Sequence, residues 1–186
     1  MLKSFLHQFL RFRPGDQPDL RSTAHQSGGA SLKPRHHAAP VYPPVDQGIA
    51  LISAVELIES QRALVTRLRL ATGTNDATFD TLYMRVIERL AQTVGPLPAT
   101  EYETHNGAGG LFRLAMELGF YALQSSESTI FAARAGVERR RLLEPRWRYA
   151  TWLAAICSEL YRPVTTMVVT TDSGVQWPAY QHPLDQ

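Results

Sequence analysis

With 186 residues and an apolar fraction of 44%, the chain has the length and composition for one folded domain with a real core. Its formal net charge is only +2, so any attraction to a polyanion has to come from clustered side chains rather than from the total. The single cysteine, Cys157, excludes an intramolecular disulfide and suits a reducing cytoplasm. No apolar run approaches the roughly 20 residues that span a bilayer, so a soluble, cytoplasmic chain is expected.

Residues 1–13 place Leu2, Phe5, Leu6, Phe9 and Leu10 on one helical face, but His7 and Gln8 interrupt the apolar stretch and no small-residue cleavage site follows. So short a helix is marginal alone and reads as a frayed extension. Residues 14–47 hold six prolines, three glycines and few large apolar side chains. They cannot offset their ordering entropy, which makes 1–47 a disordered tail before a domain spanning 48–186. The cluster Lys33-Pro34-Arg35-His36-His37 within it is read as incidental.

Ile49, Ile52, Leu57, Leu64 and Leu68 recur at helical spacing and predict a first helix running from about Asp46 to Ala71. Thr72-Gly73-Thr74-Asn75-Asp76 ends it and offers Thr74 or Asn75 as the next cap. A second helix over 76–94 is expected to bury Phe79, Leu82, Tyr83, Val86, Ile87, Leu90 and Val94. Gly95-Pro96-Leu97-Pro98 stops it, since proline has no amide to continue the ladder. A third helix, 108–124, is apolar on so many sides that it should be central and mostly buried. Gly107, Gly109 and Gly110 at its start allow close backbone approach and supply unpaired amides at the positive end of the helix.

Residues 125–128 read as a turn, and the next helix is expected to begin near Pro145, a residue suited to a first turn, and to end at Arg162-Pro163. Val164–Thr170 and Val175–Trp177, around the turn Asp172-Ser173-Gly174, predict a small C-terminal β-hairpin. The fold class is therefore mainly α, with Trp147 and Trp152 assigned to the core.

The candidate metal ligands are His105, Glu117 and Glu159, with Glu101 or Glu103 as extras. A metal centre needs several such groups converging, and one histidine in the helical region is better explained by helix entry or a hydrogen bond. Arg134, Arg139, Arg140, Arg141, Arg146, Arg148 and Arg162 outnumber the neighbouring Glu138 and Glu144. On one surface they would neutralise DNA phosphates; at helical spacing with those glutamates they would form an ordinary solvated face.

Taken together, Leu97-Pro98-Ala99-Thr100-Glu101, His105, Gly109-Gly110-Leu111-Phe112, Met116-Glu117, the run Leu143 to Thr151, Ser158 to Pro163, and Val168 to Trp177 resemble the amino-terminal domain of MOBH-type conjugative relaxases, the TraI-like proteins of integrative and conjugative elements. The resemblance covers residues 48–184. It implies an HD-hydrolase-like helical domain that binds a divalent metal ion and nicks DNA at a transfer origin alongside other conjugation proteins. It also implies where ligands have changed: the family's histidine pair falls at Thr104-His105, its next histidine at Leu114, and its His-Asp dipeptide at Ser158-Glu159.

Three readings follow. In the first, a DNA-processing domain holds a divalent ion through His105, Glu159 and Glu117, and contacts DNA through Arg139, Arg140, Arg141, Arg146, Arg148 and Arg162. In the second, the ion is lost and the domain is a non-catalytic DNA-binding or assembly module. In the third, the chain is a truncated relaxase.

Overall fold

The computed structural model of the protein describes residues 48–101 and 104–184. The N-terminal helix and the tail expected over 1–47, together with Glu103, lie outside these residues. Among the described residues the fold is helical and has no strand.

Helix α1 is Ala54–Ser60 and α2 is Arg62–Thr72. The single helix expected over this span starts later and is broken. Its start is fixed by a capping box, in which Ser53 Oγ accepts from the Glu56 amide and Glu56 reaches back to the Ser53 amide. It is broken at Gln61, which leaves the helical region, while Ser60 Oγ donates to the Leu57 carbonyl at 2.6 Å. The rod α3 comprises Asp76–Thr78, a π-helical stretch Phe79–Met84, and Arg85–Val94, with Asn75 Oδ1 accepting from the Thr78 amide as its cap. It buries Phe79, Tyr83, Ile87, Leu90 and Val94 as expected, whereas Leu82 is exposed.

Helix α4, Gly110–Glu127, is the central element and packs on α2 and on α5, Val137–Ile156. It buries Leu111, Phe112, Ala115, Met116, Phe120 and Leu123. It also runs through the stretch 125–127 expected to be a turn, because Ser126 is buried and turns its hydroxyl to the Leu123 carbonyl at 2.6 Å. Where α4 meets α5, a Cβ on Gly119 would lie 2.9 Å from Trp152 Nε1, so only glycine admits the indole. Trp152 is fully buried and sits 4.6 Å from the Tyr83 ring and 5.6 Å from that of Tyr149. Burial pushes the Tyr83 phenol pKa up.

Helix α5 begins eight residues before the expected Pro145, which lies inside it. The preceding residues Val137–Glu144 are mostly good helix formers, and the Gly136 carbonyl accepts from the Arg140 amide at 2.9 Å to open the ladder. Proline there removes one ladder bond, and the helix continues across the gap. It ends at Ile156 rather than at Pro163, which instead occupies the first turn of α6, Arg162–Thr165. Val164 and Thr165 are thus helical, and the expected hairpin reduces to one antiparallel bridge between Thr170 and Gln176, with the Trp177 amide donating to the Val169 carbonyl at 2.9 Å. Beyond it, Trp177 and Leu184 are buried in the core. Trp152 fits its assignment to the core; Trp147, 51% exposed, does not.

Candidate functional site

The segment between α3 and α4 is folded by its own backbone. The Gly109 amide donates to the Pro96 carbonyl at 2.8 Å, Leu111 to Leu97 at 3.0 Å, and Ala99 to His105 at 2.9 Å, with Gly110 bonded to Gly107 at 2.9 Å inside the turn. His105 sits at φ 69°, in the left-handed region that costs a side-chain-bearing residue roughly 1–2 kcal/mol. The chain passes this closely only because residues 109 and 110 carry no Cβ. A Cβ on Gly110 would lie 1.9 Å from the His105 carbonyl oxygen, and one on Gly109 would lie 2.7 Å from Leu57 Cδ1. Of the amides expected to stand free at the helix start, those of Gly109 and Gly110 are taken, and Leu111 and Arg113 likewise donate to carbonyls of this segment. The close approach read from the glycines is present.

On this turn, His105 Nε2 lies 3.0 Å from Glu117 Oε2, while Arg113 Nε donates to Glu117 Oε1 at 2.9 Å. Burial opposes ionisation of Glu117, but the hydrogen bonds from Arg113 and His105 outweigh it and hold its carboxyl below the usual carboxylate range. Glu117 is then a carboxylate acceptor, which assigns the His105 proton to Nε2. The Arg113–Glu117 contact is an i,i+4 pair visible in the sequence, although it was not singled out.

Glu159 stands apart from this pair. It is bonded to Arg162 Nε, and Arg162 Nη1 donates to the Ala99 carbonyl at 3.1 Å, so the carboxylate reaches the His105 segment only through the arginine. Leu114 packs against the core, and Thr104 and Glu101 are exposed. Among the described residues no three His, Cys, Asp or Glu side chains group in a way that could hold an ion. Glu117 and Glu159 each carry a guanidinium, of Arg113 and Arg162, which repels a cation. This arrangement does not fit a divalent metal.

The arginines divide sharply. Arg148 points inward, donating to Ser126 Oγ and to the Ala71 carbonyl, both at 3.3 Å, with Glu127 3.7 Å away. Together with Arg162 it ties elements to one another. Arg140 is half-buried, and its Nε has no hydrogen-bond partner. Arg134, Arg139, Arg141 and Arg146 are exposed, and among the described residues none of them forms a salt bridge. Their helix also carries a feature that sequence reasoning missed: Trp147 lies stacked on Phe131, with ring centroids 6.4 Å apart and planes 6° from parallel. No periodicity could have shown it, because Phe131 precedes the helix.

Residues 48–186 match a family model described as "TraI_2: Putative helicase". Comparison with curated proteins and with solved structures returned no match. No helix among the described residues is long and apolar enough to cross a membrane.

Proposed function

The chain belongs to the TraI_2 family, a TraI-like family of conjugative transfer, and from that premise we propose that residues 48–186 form a DNA-contacting domain that works without a bound metal. The observation that carries this reading is the set Arg134, Arg139, Arg141 and Arg146, exposed and uncommitted along the first half of α5 and in the segment before it. Arg148 and Arg162, grouped with them in the sequence, act instead as internal ties. The MOBH assignment and the HD-type arrangement belong to the same proposal and rest on the order of motifs from Leu97 to Trp177. The expected partners are transfer-origin DNA and other proteins of the transfer machinery.

In this reading the His105–Glu117–Arg113 cluster keeps the α3–α4 segment in place. The test is binding to a labelled transfer-origin duplex across a salt series. Replacing Arg139, Arg141 and Arg146 with alanine is expected to weaken binding and to lower the salt slope by roughly one per lost phosphate contact. Unchanged affinity and slope would refute it. Metal-dependent nicking of a supercoiled origin plasmid, lost in Glu117→Gln, would restore the catalytic reading in its place.

A further inference from the structure

The chain that follows α6 carries an extended edge with unpaired backbone groups. Thr170 and Gln176 form an antiparallel bridge. On either side of it the Trp177 amide donates to the Val169 carbonyl and the Thr171 amide to the Val175 carbonyl, both at 2.9 Å. Bonds carried by the neighbours of the bridged residues make Thr170 and Gln176 a non-hydrogen-bonded pair, whose own amides and carbonyls turn outward. Burial continues the same period of two back along the chain: Met167 and Val169 pack on the core, while Val168, 76% exposed, and Thr170 face solvent. Among the described residues, the amides and carbonyls of Val168 and Thr170 take part in no backbone hydrogen bond.

The two outer edges differ. Beside Gln176 the next outward position is Pro178, which has no amide to offer and blunts that edge. The Thr170 edge has no such guard. Thr166-Met167-Val168-Val169-Thr170-Thr171 contains no charge, proline or glycine, and every residue except Met167 is β-branched, a composition that favours strand pairing.

We propose that this edge is a self-association surface, to which the Val168–Thr170 edge of a second copy of the chain adds antiparallel about a two-fold axis. Val168 of each copy then exchanges both hydrogen bonds with Thr170 of the other, so every outward amide meets a carbonyl. The uncharged segment is what favours an identical partner. Self-pairing sets each side chain against one from the same short run, and here that brings no like charges together. With so few residues in contact, the surface buries less than the roughly 1,200 Å² of a stable interface, so the dimer is weak and forms only at high concentration. The inference is independent of the DNA-contacting reading, and its test contains no nucleic acid.

Sedimentation velocity of the full chain from ~10 μM to ~1 mM should show monomer passing to dimer, the range expected for so small an interface. Over the same range, hydrogen exchange should show the Val168 and Thr170 amides gaining protection while that of Gln176 does not. Val168→Lys/Thr170→Lys and Val168→Glu/Thr170→Glu each set like charges opposite one another across the axis, and each should remain monomeric. Both substituted positions are exposed, so the thermal melts should match wild type. An equimolar mixture of the two variants sets lysine against glutamate and should dimerise again, which no contact elsewhere on the molecule would produce. A wild-type chain that stays monomeric with both amides unprotected would overturn the inference. Dimers that persist undiminished in both charged variants would overturn it by placing the contact elsewhere. Protection that appears only on adding a roughly eight-residue alternating Val-Thr peptide would overturn it in favour of a foreign strand.

Discussion

Gly110→Ala adds one methyl group at the point where α4 begins. The new Cβ would lie 1.9 Å from the His105 carbonyl oxygen and 2.7 Å from its carbonyl carbon. Both are backbone atoms, so no side chain can rotate away, and the segment itself must move by more than 1 Å to reach ordinary contact. That carbonyl accepts from the Ala99 amide, and the Gly110 amide is bonded to Gly107. The displacement also draws His105 Nε2 from Glu117. Two or three hydrogen bonds at about 1 kcal/mol each, with about 1–3 kcal/mol of overpacking, outweigh the roughly 1 kcal/mol that alanine returns through helix propensity. The net loss is about 2–5 kcal/mol. At roughly 3 °C per kcal/mol for a domain of this size, the melting temperature should fall by about 6–15 °C. Far-ultraviolet circular dichroism melts of wild type, Gly110→Ala and Gly107→Ala measure it. Gly107 lies in the same turn with nothing within 4 Å of its would-be Cβ, which makes its variant the matched control. A Gly110→Ala melt equal to or above wild type would refute the steric argument.

Arg148→Ala should cost about 2 kcal/mol in urea unfolding, because it strips charged hydrogen bonds from Ser126 and Ala71; a loss under about 0.5 kcal/mol would show that the inward arginine ties nothing together. Glu117 has its pKa lowered in the folded state, so its contribution is full above the unfolded carboxyl pKa and disappears as pH falls through the lower folded one. The difference in melting temperature between wild type and Glu117→Gln should therefore shrink on acidification below the ordinary carboxylate range. Solvent screening at this partly exposed site keeps it below about 1 kcal/mol, and a difference that is constant with pH would sink the assignment.

Sequence patterning captured α3 through its one-sided apolar repeat, its Asn75 cap and the Gly95-Pro96 stop, and α4 through its apolar surface on many sides. It failed where one residue's local preference met a stronger regional one. Pro145 suits a helix start, yet Val137–Glu144 already favours helix and extends it upstream. The β-branched run Val164–Thr170 suits a strand, yet Val164 and Thr165 bond back to Tyr161 and leave one bridge. At the site, the ligand inventory was legible but its arrangement was not. His105 and Glu117 do meet, whereas Glu159 is turned to Arg162, and the inward contact of Arg148 is to Ala71, 77 residues away. No spacing rule encodes such a contact.

Pro145 divides α5 into two parts with different obligations. Toward Ile156 the helix carries Trp152 and closes the core, so few substitutions are tolerated there. Toward Val137 it exposes Val137 and Leu142, and no carbonyl across the proline depends on its amide. Substitutions in the outer half can accumulate at little cost to the rest of the domain. Sequence change is thereby cheap in the outer half and costly in the half that holds the fold.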